Sequence, residues 1–119
     1  MSNPVLQFQI NSKSPDETAK FYGALFGWRI DADNALGYRV IRTGDAGIQG
    51  GIWPAPSNAT DFAQLFVGVA DVSAAVADAT RLGATIIIPA TKLPDGDEMA
   101  VLLDPHGMPF GLMKDRSAG

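Results

Sequence analysis

The stretch that decides the fold is AQLFVGVADVSAAVADATRLGATIIIPA, residues 63–90. It begins with AQLFVGV, a run of apolar and β-branched residues typical of a strand. Asp71 follows at a position suited to capping a helix, and apolar residues then recur at the helical period until Gly83. The β-branched run ATIIIPA comes next. The stretch therefore predicts a strand, a helix and a second strand.

Two further strands complete this half of the chain, EMAVLLD at 98–104 after the turn PDGD, and MPFGLMK at 108–114. The other half has the same order. PVLQFQINS at 4–12 alternates as a strand does. A helix follows to about Phe26, with Ser14 as its cap, Glu17 completing a capping box and Gly27 ending it. The three short strands expected next are WRIDA, GYRVIRT and GIQGGIW, with a turn at Asp33 and Asn34 between the first two.

The chain is therefore an internal repeat of two βαβββ modules. Module 1 covers about 4–53, a linker 54–60, and module 2 about 61–115, all within one α+β domain. Gln7 and Gln64 occupy matching places, each seven residues before its helix cap. Gly51 and Gly111 match in the last strands of the two modules.

Composition limits the possible partners. The 119 residues carry a net charge of -4, and the Lys and Arg residues are scattered singly, which disfavours nucleic acid and anionic membranes. The absence of cysteine excludes disulfides and thiolate metal sites. No apolar run approaches the roughly 18 residues of a membrane span. We expect a cytoplasmic protein.

Four stretches of the sequence together resemble the vicinal oxygen chelate superfamily of glyoxalases, bleomycin-resistance proteins and extradiol dioxygenases. They are FYGALFGW at 21–28, GGIW at 50–53, VADVSAAVADATRLGA at 69–84 and DPHGMPFGL at 104–112. The resemblance implies that the two modules form a cupped eight-stranded mixed sheet, with helices outside and a ligand site inside. It also implies a homodimer.

In metal-dependent members of that superfamily, the first and last strands of each module supply four ligands. Carried over by spacing, those positions are Gln7, Gly51, Gln64 and Gly111, with Gln49 as an alternative register for Gly51. Glycine has no side chain to coordinate, and a neutral amide is a poor ligand for a divalent transition metal. We therefore expect neither a metal nor another cofactor.

His106 is the single histidine of the chain, so it is the natural candidate for chemistry. Pro105 suits the second position of a type I turn and Gly107 the fourth, which places His106 at an exposed turn tip. It has no second histidine with which to bind metal. Glu98 is a further candidate carboxylate for the site, because it could begin a strand that lines the cup.

The expected site is an apolar cup with a few polar side chains that hydrogen-bond the ligand. We expect Gln7 and Gln64 to bind a small organic ligand, the two strand glycines to leave room for it, and Phe8 and Phe66 to point to the opposite face. The full set of candidate ligand-binding residues is Gln7, Gln64, Gly51, Gly111, Trp53, Tyr38 and Phe110.

The favoured function is metal-free binding of a small organic molecule. The alternative is a family enzyme, a lyase, isomerase or oxygenase, with a non-standard active site. A third possibility is an interaction protein whose cup holds no ligand.

Overall fold

The computed structural model describes residues 3–31, 38–55, 61–94 and 96–115. Within them the predicted α+β class is confirmed, as eight strands of a mixed, open sheet and two helices. The turn predicted at Asp33 and Asn34, and linker residues 56–60, lie outside the described residues. The elements are β1 Val5–Ser12, α1 Pro15–Phe26, β2 Arg29–Asp31, β3 Arg39–Arg42, β4 Gln49–Pro54, β5 Phe62–Val69, α2 Val72–Arg81, β6 Thr85–Lys92, β7 Glu98–Leu103 and β8 Pro109–Lys114.

The chain divides into two compact units, and each is described by itself. The first unit is Gln7–Gln64. Its strands follow the order β2-β3-β4-β1, with β1 parallel to β4 and the other pairs antiparallel. Ile41 and Ile52 are completely buried, and α1 packs on β4. The burial of these two residues marks the core face of this unit.

The second unit comprises Met1–Leu6 and Leu65–Gly119. Its strands follow the order β5-β8-β7-β6, with β5 parallel to β8 and the other pairs antiparallel. Helix α2 packs against β6, β7 and β8. Between the helix and the strands lies an apolar core cluster made of Val69, Val72, Val76, Ala100, Leu102 and Leu112.

The two helices begin in different ways, although the sequence predicts a side-chain cap for each. The Asp71 carboxylate accepts a hydrogen bond from the Ala74 N–H at 3.1 Å, which confirms the predicted cap of α2. Ser14 stands at the cap position of α1, but its side chain makes no cap hydrogen bond, so the predicted capping box is wrong. Instead the Ser12 hydroxyl accepts from the Ser14 N–H at 3.0 Å and pairs with the Thr18 hydroxyl.

The helix ends follow the sequence more closely. Gly27 caps α1 in the left-handed conformation, with a φ of 70°, and donates its N–H to the Gly23 carbonyl. Gly83 follows α2 with a φ of 107°. Glycine adopts such angles at little cost, which is why both helices stop there. Neither described helix has the length and apolar character needed to cross a bilayer.

We predict that Asp71→Ala destabilises the protein by about 1 kcal/mol, because it removes the acceptor at the start of α2. Ser14→Ala is the matched control at the other helix and should cost less than about 0.5 kcal/mol. Urea unfolding of the two variants measures the difference. Equal losses would contradict the asymmetry between the two helix starts.

Candidate functional site

One side of the first unit carries a row of neutral polar side chains. Gln7, Gln9 and Asn11 project from the same side of β1, since residues two apart in a strand share a face. The parallel register places them level with Gln49, Gly51 and Trp53 of β4, in that order. We name this surface the amide face, and its members are Gln7, Gln9, Asn11, Gln49, Gly51, Trp53 and Tyr38.

Tyr38 covers Gly51 on the amide face. A Cβ atom added to Gly51 would overlap the Tyr38 hydroxyl and ring. The Tyr38 and Trp53 rings lie 5.7 Å apart between centroids and are tilted by 49°. The glycine therefore admits an aromatic side chain of the same unit. The expectation that Gly51 leaves open room for a ligand is wrong, because Tyr38 already fills that volume.

The Tyr38 phenol is held in its neutral form. Burial raises the pKa of Tyr38 above its ordinary value, and a hydrogen bond with the Gln7 side chain opposes this effect only in part. Burial disfavours the charged phenolate, so the hydroxyl keeps its proton at neutral pH. The uncharged O–H group is itself buried beside Gly51.

Gln9 is a residue that the sequence interpretation missed. It is 8% exposed, and its Nε2 donates to the Asn11 Oδ1 at 2.8 Å. In the parallel register Gln9, and not Gln7, lies level with Gly51. Spacing from the helix caps singled out Gln7 alone. The signal that could have found Gln9 was the alternation itself, which puts amides at Gln7, Gln9 and Asn11 of β1.

Gln64 is more deeply buried, at 5% exposed, while its neighbour Leu65 is 52% exposed. Its side-chain oxygen Oε1 is buried and has no hydrogen-bond partner among the described residues. A buried carbonyl oxygen without a partner costs free energy, so such groups call for an explanation. Gln64 thus offers an acceptor that the described protein leaves unused.

Phe66 lies on the same side of β5 as Gln64, because both are buried and the residue between them is exposed. The prediction that Phe66 faces away from Gln64 is therefore wrong, since side chains two positions apart share a face. Phe66 is level with Gly111 of β8, and a Cβ added there would lie 2.5 Å from the Phe66 ring. Gly111, like Gly51, is thus covered by an aromatic side chain.

The side chains of two other candidates are on the opposite face of the sheet from the surface around Gly111. Phe110 packs against the core cluster beneath α2, which puts it on the opposite face from its neighbour Gly111. Glu98 begins β7, as the sequence predicted, but it shares the face of the core residue Ala100. Neither side chain joins the surface that carries Phe66.

The positions to which the sequence resemblance assigned metal ligands do not fit a metal here. They hold amides, and glycines covered by aromatic rings. Within 3–31, 38–55, 61–94 and 96–115, no three His, Cys, Asp or Glu residues come together in a way that could hold an ion. Neutral amides are poor ligands for divalent transition metals, which prefer imidazole, thiolate or carboxylate groups.

A shallow cavity of about 440 Å³ lies beside α1, away from the candidate residues. Arg39 and Trp28 line it together with residues of the helix, and Arg39 forms an ion pair with Asp16. Arg39 is level with the buried Ile52, so it belongs to the core face and not to the amide face. The candidate residues from the sequence do not line this cavity.

The turn around His106 has the predicted form. The Gly107 N–H donates to the Asp104 carbonyl at 2.9 Å, and Gly107 has a φ of 89°. The Asp104 Oδ1 accepts from the backbone N–H groups of Met108, at 3.0 Å, and His106, at 2.9 Å. These bonds lower the pKa of Asp104 below its ordinary value. The His106 side chain is exposed, as expected, so the turn depends on Asp104.

We predict that Asp104→Ala lowers the melting temperature at neutral pH, whereas His106→Ala leaves it nearly unchanged because the backbone N–H remains. The fold lowers the pKa of Asp104, so the ionised carboxylate stabilises the folded protein at pH values above its ordinary pKa of 3.8. This stabilisation is lost as the pH falls through the lower pKa of the folded state. Thermal melts across this acid range should show the wild type and Asp104→Ala converging. A large loss in His106→Ala would refute this account of the turn.

Comparison with known proteins agrees with the fold. Two mycobacterial proteins named "Putative glyoxylase CFP32", from Mycobacterium bovis and Mycobacterium tuberculosis, are 28% identical over 109 residues. The match covers 89% of this chain but 42% of their length, so the chain spans less than half of these relatives.

Solved structures share the fold at low identity. Hypothetical protein BH1468 from Bacillus halodurans C-125 has a TM-score of 0.70 at 13% identity, with 98% of this chain and 96% of that chain covered. A Streptomyces coelicolor methylmalonyl-CoA epimerase variant in complex with 2-nitronate-propionyl-CoA has a TM-score of 0.64 at 18% identity, with 98% and 97% covered. The predicted resemblance to the vicinal oxygen chelate superfamily is confirmed. Residues 7–113 match the glyoxalase-like domain, and the chain belongs to that family.

Proposed function

We propose that this glyoxalase-like domain binds a small organic molecule without a metal, using Gln64 and the amide face as polar contacts. The observation that carries the proposal is the buried Gln64 oxygen, which has no hydrogen-bond partner among the described residues. Leaving a buried acceptor unpaired costs about 1–3 kcal/mol. A ligand that donates a hydrogen bond to this oxygen would remove that cost on binding.

The relatives support a small organic ligand without identifying it. The mycobacterial relatives are named glyoxylases, and the Streptomyces epimerase structure holds an acyl-CoA analogue. Both names point to organic ligands. The amides of Gln7 and Gln9 suit such ligands, because each amide combines donor and acceptor groups.

A second candidate function is catalysis by a family enzyme with a non-standard active site. The observation that favours it is that the mycobacterial relatives carry the name of an enzyme, glyoxylase. Prolonged incubation with a bound compound, followed by mass spectrometry, separates the two functions. Recovery of the compound unchanged supports binding alone, and a new product supports catalysis.

We predict that Gln64→Ala weakens the binding of compounds found in a fragment screen at least several-fold, because it removes a buried hydrogen-bond acceptor. The melting temperature of the free protein should not fall comparably, because the lost oxygen has no partner among the described residues. Leu65→Ala is the matched control on the exposed side of β5 and should leave affinity unchanged. Equal affinities in both variants would place the site elsewhere.

The absence of a metal requirement is tested on the same protein. Elemental analysis should find Zn, Ni, Mn and Fe well below stoichiometric amounts, and chelator treatment should change neither the melting temperature nor fragment binding. Stoichiometric metal, together with loss of binding in chelator, would reject the metal-free part of the proposal.

We further propose a homodimer. Strand β6 is an outer strand of the second unit, and its Ile86, Ile87 and Ile88 are exposed. Outer strands with exposed apolar residues tend to be paired or covered.

We predict a dimer by light scattering at micromolar concentration, and a shift towards monomer in Ile87→Lys. Leu82→Lys, at an exposed apolar residue after α2, should not cause that shift, and a monomeric wild type would reject the proposal.

A further inference from the structure

We propose that the cavity beside α1 is a second binding site, separate from the amide face, and that it takes a small monocarboxylate with a short apolar tail. Its volume of about 440 Å³ lies within the range of small-molecule sites, roughly 300–1,000 Å³. All of its lining residues belong to the first unit, so that unit forms the whole site. The cavity is shallow and open to solvent, so a ligand can enter it directly.

The position of Arg39 points to an anionic group on the ligand. Arg39 stands on the core face of β3, level with the buried Ile52, and its side chain is 16% exposed. A positive charge largely removed from water is costly unless a negative charge compensates it. Asp16 forms an ion pair with Arg39, and the Asp16 side chain is 89% exposed. Arg39 therefore already binds a carboxylate, at the boundary between the cavity and solvent.

A ligand carboxylate can reach Arg39 by taking the place of Asp16. The Arg39 atom that pairs with Asp16 is Nη2, and it lies near the surface because its partner is almost fully exposed. An ion pair with one partner so exposed contributes little to stability, so exchanging one carboxylate for another costs little. The Asp16 carboxylate thus marks the place where the carboxylate of the ligand would bind.

The charge of the ligand follows from the three charged residues that line the cavity. Arg39 and Lys20 are positive and Asp16 is negative, which leaves one positive charge in excess. Lys20 lies about one helical turn after Asp16 in α1. A monocarboxylate balances this excess, whereas a dianion would leave a negative charge and an ammonium group would add a positive one.

The apolar tail follows from the remaining lining residues, which are small or apolar. Ala19 and Gly23 give the α1 side of the cavity little side-chain volume, and Trp28 and Ile30 supply apolar surface. A Cβ atom added to Gly23 would lie 3.7 Å from the Ile30 Cδ1, so Ile30 reaches towards the helix at this point. A tail of a few carbons would leave water against these residues, which favours binding.

The experiment compares hexanoate, hexan-1-ol and hexylamine, which share one tail and differ in charge. NMR of the ¹⁵N-labelled protein locates each probe, and Trp28→Phe or Trp53→Phe assigns the two indole N–H signals. Hexanoate should shift the Trp28 indole and Gly23 amide signals, with a Kd of roughly 10 mM for so small a molecule, and leave the Trp53 indole signal in place. The other two probes should bind at least about tenfold more weakly, because neither forms a charged hydrogen bond with Arg39.

Two variants of the ion pair should change hexanoate binding in opposite directions. Arg39→Met keeps much of the aliphatic chain and removes the charge, so it should weaken hexanoate at least about tenfold. Asp16→Asn removes the competing carboxylate and should tighten hexanoate about threefold. Glu17→Gln and Arg42→Met are the matched controls, because each removes the same charge outside the cavity, and each should change the Kd less than about twofold.

The result for Asp16→Asn separates a ligand site from a merely structural ion pair. It changes an exposed side chain, so it remains a test even if Arg39→Met does not fold. Weaker hexanoate binding in Asp16→Asn would overturn the inference, as would equally tight binding of hexylamine or hexan-1-ol. A shift of the Trp53 signal in place of the Trp28 signal, or no hexanoate binding at about 10 mM, would overturn it too.

Discussion

Close packing of aromatic side chains onto strand glycines is the constraint on which the candidate site depends. A side chain at any of these glycines would overlap the aromatic ring that covers it. A larger residue could therefore replace the glycine only if the aromatic residue were replaced by a smaller one. Two of the covered glycines, Gly51 and Gly111, are positions to which the sequence resemblance assigned metal ligands. The pairs are Phe8 on Gly50, Tyr38 on Gly51 and Phe66 on Gly111.

This packing changes the chemistry of the site. A glycine at a position assigned to a metal ligand would leave an empty volume. At Gly51 the neutral Tyr38 side chain fills that volume. Around it, Gln7, Gln9 and Asn11 supply amides from one strand. The surface is thus built for hydrogen bonds without charge. Because neutral amides and covered glycines are poor ligands for a divalent ion, the same packing disfavours metal at these positions.

The order of elements could be predicted because it depends on local patterns. Alternation gave the strands and the 3.6-residue period gave the helices, while Gly27 and Gly83 marked the helix ends. Where a local motif competed with a neighbour, the prediction was wrong. Ser14 has the right type and position for a cap, but the Ser12 hydroxyl takes up its backbone N–H instead.

By itself, the sequence determined the βαβββ repeat, the family resemblance and the exposed turn at His106, since each depends on residues close together in the chain. Only the tertiary structure decided that Gln9 lies level with Gly51, that Tyr38 covers that glycine and that the Gln64 oxygen is left without a partner among the described residues. Strand register and ring packing join residues far apart in sequence. No local period specifies them, because they are set by which side chains fill the same volume.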